Sequence, residues 1–215
     1  MTASTPVGPR QPSLLAGGAP GRDQRSHTER IELGHRSWID WCPGWLDGAD
    51  TLFEWCATTA GWQGGTRPMY DRIVAEPRLT ATLTPSDLRT QPTIVDVADE
   101  LTTTYQRPLH RVFASFYRDG HDSVAWHGDR IGRTRSHPVI PVLSLGGPRT
   151  FAIRPTSGGR ARHFEMYSGD LLVMGGGCQQ HFQHAVPKRR TALPRISLTF
   201  RTQEDTGERS ASPER

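Results

Sequence analysis

The sequence predicts a mainly β protein of the α+β class, with helices in its first half and a sandwich or small barrel of jelly-roll type in its second. Three observations support that class. Turn-forming residues are plentiful, with 22 glycines and 17 prolines among 215 residues, which favours many short strands over a helix bundle. From Arg111 onward, short apolar runs recur between Gly, Pro, Ser and Asp at spacings of about 8–15 residues. Before that point the apolar periodicity is helical.

Taken in order, residues 1–28 lack hydrophobic periodicity and are rich in Pro, Gly and Ser, the composition of a disordered leader. Residues 29–201 form one domain, whose first part, 29–109, carries the helices. One helix is expected from Trp45 to Thr58, with Asp47 and Asp50 near its start and Leu52, Phe53, Trp55 and Cys56 behind them. A second is expected from about Pro92 to Thr104, placing Ile94, Val95, Val97, Ala98 and Leu101 on one side. The part from 110 to 201 holds the strand-like runs RVFASFY, SVAWHGD, VIPVLSL, RTFAIRP, RHFEMYS, DLLVMGG and RISLTFR. Seven or eight such strands suit a jelly roll. Residues 202–215 are polar and charged and are expected to form a flexible tail.

Composition excludes some classes. No apolar run approaches the roughly 18 residues of a membrane-spanning helix, and no apolar stretch follows a basic start as in a signal peptide. Cys42, Cys56 and Cys178 leave an odd count without a CxxC pair, which argues against a disulfide framework and for a cytoplasmic location. The net charge of +4 is compatible with a polyanionic partner. Lys188 is the single lysine among 26 basic residues. Arginine forks match phosphate and carboxylate, although a GC-rich genome would produce the same bias.

His127 and Asp129 end a strand-like run, and alternation on a strand points both side chains the same way. A later histidine completes a 2-His-1-carboxylate set, which leaves open positions on iron(II). His184, after the DLLVMGG run, is the best candidate, with His181 as a local rival. A strand histidine is more often merely hydrogen-bonded, so this pattern gains weight from PRISLTFR. There Arg195 and Arg201 fall on one face with Ser197 and Thr199, and Ile196, Leu198 and Phe200 fall on the other. Two inward guanidinium groups require anionic partners, which a dicarboxylate would supply.

These pieces, with SFYRDG, PVLSLGGPRTFAIR and GDLLVMGGGCQQHFQHAVPK in matching order, resemble the AlkB family of nucleic-acid dealkylases from about Pro43 to Arg201. The resemblance implies a double-stranded β-helix core under a nucleotide-recognition lid. It implies iron(II) held by His127, Asp129 and His184, with 2-oxoglutarate and O2 as co-substrates. Arg195 would bind the distal carboxylate of 2-oxoglutarate, helped by Tyr117. Arg201 would lie nearer the metal, and Ser115 and Ser197 would help to seat the co-substrate. The implied reaction demethylates N-alkylated bases of DNA or RNA, releasing formaldehyde, succinate and CO2. A flipped or single-stranded base is required, and a monomer is expected. Trp62 and Tyr70 are candidates for stacking on that base. Arg78 and Arg149, with Arg67, Arg72, Arg130, Arg133 and Arg135, are candidates for phosphate contacts. Trp126 is expected to point away from the iron, into the core.

The chain departs from the family where Ser115 and Ser197 replace the usual Asn. It also departs at Ile131, where many relatives carry an acidic residue, and in the lid, where TLTPSDLRTQP stands for a tyrosine-rich hairpin. Two further readings therefore stand beside the first: a dioxygenase of a protein or small molecule, and a non-catalytic nucleic-acid-binding protein.

Overall fold

The computed structural model describes residues 18–69, 72–129 and 138–202, and the side chains within these except those of residues 67–75. The expected leader up to residue 17, the tail beyond residue 202, Tyr70, Arg130, Ile131, Arg133 and Arg135, and the side chains of Arg67 and Arg72, lie outside what is described. Among the described residues no helix is long and apolar enough to cross a membrane.

The chain begins with strands β1 (Gly21–Arg22), β2 (Glu29–Gly34), β3 (Ser37–Cys42) and β4 (Leu46–Asp47), then helix α1 (Ala49–Thr59). A hairpin of β5 (Gln63–Met69) and β6 (Arg72–Thr82) follows, then helices α2 (Pro85–Thr90) and α3 (Pro92–Tyr105). The second half runs through β7 (Arg111–Tyr117), β8 (Val124–His127), β9 (Ile140–Gly146), β10 (Arg149–Pro155), β11 (Arg162–Met166) and β12 (Leu171–Gly176). A single turn, α4 (Cys178–His181), leads into β13 (Phe182–Val186), and β14 (Arg195–Arg201) closes the domain. Each expected run from RVFASFY to RISLTFR contains one of these strands, and both expected helices form.

Two antiparallel sheets face each other, in the order β2-β3-β12-β9-β14-β7-β6-β5 and β11-β10-β13-β8. This is the double-stranded β-helix, or jelly roll. Alternation on the large sheet divides its residues into two cores. Leu143, Leu145, Ile196, Leu198 and Phe200 face α1 and α3 and pack on Leu52, Phe53, Ile94 and Leu101. Ile140, Val142, Leu172 and Met174 face the small sheet and pack with Phe151, Ile153, Phe164 and Phe182. Leu52, Phe53 and Cys56 of α1 are fully buried, each large apolar side chain stabilising the layer by about 1.5–3 kcal/mol.

The first half is more β than its sequence predicts. Hairpins β2–β3 and β5–β6 extend the large sheet at its two ends. Neither carries the usual marks: the first turns at His35 and Arg36, non-glycine residues with φ of 52° and 57°, and β5 contains Gly64, Gly65 and Pro68. Proline and glycine weaken a strand but are tolerated at an edge, where β5 lies. The segment TLTPSDLRTQP is no hairpin at all but contains α2. There Thr84 Oγ1 accepts from the Asp87 N–H at 3.2 Å and Asp87 Oδ2 from the Thr84 N–H at 2.8 Å, a capping box. The part of the expected leader from residue 18 to 28 is described, and it is not free of structure. Gly21–Arg22 pairs with Leu46–Asp47, and the Arg22 Nε donates to Glu100 Oε1 at 3.0 Å.

Candidate metal centre

β8 and β13 are neighbours, and their register sets His127 directly across from His184, which also pairs with Ile153 of β10. Cross-strand partners share a face, so both imidazoles point into the space between the sheets, with ring centroids 4.2 Å apart. Asp129 lies two residues beyond His127 and returns to the same side. The donor atoms of His127, Asp129 and His184 all lie within 4.8 Å of one another. His181, the alternative, is exposed on α4 and stacks on His35 at 4.8 Å instead.

The surroundings prepare these groups to ligate. His127 Nδ1 is 2.8 Å from the Ala125 carbonyl oxygen. That oxygen can only accept, so Nδ1 carries the hydrogen and Nε2 presents a lone pair. His184 is 8% exposed. Burial pushes its imidazole down to about 4 against the pull of Asp129, so it is neutral at neutral pH, as a ligand must be. Burial acts to raise the Asp129 carboxyl, but Arg201, His184 and His127 outweigh it and hold the group below the usual carboxylate range. Arg201 Nη2 donates to Asp129 Oδ1 at 2.6 Å, while Oδ2 stands 3.8 Å from His184 Nε2. Two imidazoles and one anionic carboxylate oxygen suit a divalent iron and leave coordination positions for other ligands.

The trio lies on the wall of a cleft of about 1110 Å³, lined also by Arg78, Ser115, Tyr117, Arg195, Ser197 and Arg201. The alternation of β14 brings Arg195, Ser197 and Arg201 to this face and Ile196, Leu198 and Phe200 to the opposite core. One row of the large sheet places Thr80, Ser115, Ser197 and Ser144 side by side. Arg195 is 1% exposed. Its Nε donates to Ser144 Oγ at 3.0 Å, and its Cζ lies 5.3 Å from the Tyr117 ring centre. Burial pushes this guanidinium down to about 10, with Tyr117 opposing and Arg149 adding to the fall. It stays charged at neutral pH, and its buried Nη2 has no hydrogen-bond partner among the described residues. A carboxylate fits that orphaned donor. Arg78 Nε is buried and without a hydrogen-bond partner as well.

The Arg149 assignment does not hold, and Trp62 has contacts of its own. Arg149 does not reach any surface phosphate. It is 1% exposed and donates to the carbonyls of Asp119, Asp122 and Pro187 at 2.7–2.9 Å. Trp62 packs against the helix-side core, its ring 5.2 Å from Phe116 and its Nε1 donating to the Ala57 carbonyl at 3.3 Å. Trp126 points away from the cleft, but it is half-buried under Arg154, 4.2 Å above its ring, and not part of either core. One residue that the sequence reading misses is Gln179, whose Oε1 accepts from the Asp129 N–H at 2.8 Å. Nothing in a single Gln beside another signals that contact.

A His-Asp-His set inside a jelly roll, beside a buried arginine with an unpartnered Nη2, is an arrangement suited to iron and a 2-oxo acid. The chain belongs to the 2OG-Fe(II) oxygenase superfamily, which it matches over residues 56–201. Its His-Asp-His trio could hold the metal ion for which that superfamily is named. Within that superfamily it is AlkB-like. It is 31% identical over 185 residues to alpha-ketoglutarate-dependent dioxygenase alkB homolog 3 of Bos taurus, covering 75% of this chain and 64% of that protein. It is 28% identical over 120 residues to DNA oxidative demethylase ALKBH2 of Bos taurus, covering 51% and 43%. The chain thus spans less than two thirds of the length of these relatives. The solved structure of OsALKBH1 covers 81% of this chain and 100% of its own at a TM-score of 0.51 and 14% identity, which shows the shared fold.

Proposed function

We propose that the protein oxidatively demethylates N-alkylated bases in DNA or RNA. The observation that carries this reading is the cleft itself. Its roughly 1110 Å³ holds the His-Asp-His trio and Arg195, with its unpartnered Nη2, in one cavity with space left over, and ligand pockets of about 300–1,000 Å³ already hold drug-sized molecules. A keto diacid and an extruded base both find room there. The nucleic-acid assignment draws on the DNA oxidative demethylase for which the ALKBH2 relative is named and on the net charge of +4.

His127, Asp129 and His184 would hold iron(II), which with 2-oxoglutarate and O2 supplies the oxidising chemistry. The chain's own residues bind, orient and exclude water. Arg195 and the Tyr117 hydroxyl would take the distal carboxylate, with Ser115 and Ser197 beneath the carbon chain. Arg201 keeps Asp129 ionised and occupies one of its oxygens. Arg78 would meet the polar substrate at the cleft wall. One oxygen atom of O2 would enter the N-methyl group and the other succinate, with CO2 lost from 2-oxoglutarate. The N-hydroxymethyl group would then leave as formaldehyde, the C–N electron pair staying on the ring nitrogen and the hydroxyl proton passing to solvent.

The wall formed by β6 and the start of α2 supports a second reading. There Thr80, Thr82, Thr84 and Asp87 line the cleft, a hydroxyl-rich surface suited to a polar substrate other than a base. The test is incubation with iron(II), 2-oxoglutarate, ascorbate and an oligonucleotide carrying 1-methyladenine or 3-methylcytosine. Formaldehyde release with recovery of the unmodified base is expected. Succinate without repair would favour a protein or small-molecule substrate. Absence of any His127-dependent succinate would leave a non-catalytic nucleic-acid-binding protein.

A further inference from the structure

Building on the reading of His127, Asp129 and His184 as metal ligands, we propose that Gln179 is a positioning residue for the metal. Its side-chain oxygen holds the Asp129 backbone and so fixes where the carboxylate stands relative to His184. The need for such a grip follows from the topology. The β8–β13 ladder reaches only to the His127–His184 pair, so the chain leaves the sheet just before Asp129. Gln179 Oε1 accepts the Asp129 N–H at 2.8 Å at that point.

The amide has one usable orientation. Gln179 is 8% exposed, and its Nε2 lies 3.5 Å from Met174 Sδ, a weak acceptor. Turning the amide over would set N–H against N–H at Asp129 and leave a buried oxygen on sulfur, costing a buried hydrogen bond. The backbones are also in contact: a Cβ on Gly128 would lie 3.2 Å from the Gln179 carbonyl oxygen and 3.5 Å from that of Phe182. α4 therefore supports the whole His127–Gly128–Asp129 turn.

The same segment continues into β13 and delivers His184. One stretch, Gln179 to His184, thus presents one ligand and holds another at its backbone. Arg201 completes the arrangement from β14 by occupying Asp129 Oδ1, which leaves Oδ2 on the His184 side.

The test is calorimetric titration of the full chain with Co(II), an oxygen-stable stand-in for iron(II), alongside thermal melts without metal. Gln179→Met keeps the shape and removes the acceptor. Its Co(II) affinity is expected to fall about 10–100-fold, the usual effect of losing a partner that orients a metal ligand, with the metal-free melting temperature close to that of the parent. Gln179→Glu retains an acceptor oxygen at the same reach and is expected to restore most of the affinity. Unchanged affinity in Gln179→Met overturns the proposal. So does an affinity loss that tracks a fall in melting temperature and is not restored by Gln179→Glu. If the parent chain takes up no more Co(II) than His127→Ala, the metal reading itself fails and this inference falls with it.

Discussion

Arg195 and Arg149 flank the same tyrosine, each with Cζ 5.3 Å from the Tyr117 ring centre. Each keeps one buried nitrogen without a partner among the described residues, Nη2 in Arg195 and Nε in Arg149, but only Arg195 lines the cleft. Both terminal nitrogens of Arg149 donate to backbone carbonyls, so it is structural, whereas Arg195 has a terminal nitrogen, Nη2, left for a ligand. Arg195→Ala is expected to raise the KM for 2-oxoglutarate by about 100-fold, or roughly 2.7 kcal/mol, with Co(II) affinity by calorimetry nearly unchanged. Equal loss of both would mean that the arginine supports the metal rather than the diacid. Asp122 gives a prediction about stability. Its carboxylate accepts from Arg118 Nε at 2.7 Å, Nη2 at 2.9 Å and the backbone N–H at 2.9 Å. Burial works to raise the Asp122 carboxyl, but these Arg118 contacts outweigh it and hold the group below its ordinary value. A lowered folded-state value means that the stabilisation is complete above about pH 4 and is lost as pH falls through the folded value. Asp122→Asn is expected to cost about 1.5–3 kcal/mol at neutral pH, measured by urea unfolding, and to flatten that acid-side loss. A parent and variant with parallel acid profiles would contradict it.

At the level of elements, the metal ligands depend on strands that could be read and on one that could not. β7, β9, β10 and β14 announce themselves through apolar alternation bounded by turn residues. β13 does not. Its five residues, FQHAV, follow one helical turn and pair on both sides, so its conformation comes from its neighbours rather than from its own pattern. The hairpin β5–β6 was equally hidden, because Gly64, Gly65 and Pro68 argue against a strand. α2 could be read in principle, since Thr84 and Asp87 spell a capping box ahead of it. Thr84→Ala removes that cap and is expected to destabilise the domain by about 1 kcal/mol. Denaturant melts would show it, and Thr84→Ser should recover most of the loss.

For the whole molecule, the two-sheet arrangement buries all three cysteines. Burial pushes the Cys56 thiol up to about 12 and the Cys178 thiol up to about 11, so neither presents a thiolate at neutral pH, the form that reacts. Ellman's reagent is expected to titrate no thiol quickly in the native protein and three after denaturation. Rapid reaction of one native thiol would show that a layer opens more readily than its packing implies.

By itself the sequence determined the jelly-roll class, the two helices, the His127–Asp129 pair and the shared face of Arg195 and Arg201. Each depends on a local period, two residues for a strand and about three and a half for a helix, which the chain carries wherever it folds. Only the tertiary structure decided that His184 rather than His181 joins the pair, that Arg149 belongs to the interior, and that Gln179 grips Asp129. Those contacts join residues far apart in the chain, 50 positions for Gln179 and Asp129, and no local pattern encodes which distant strand will lie alongside.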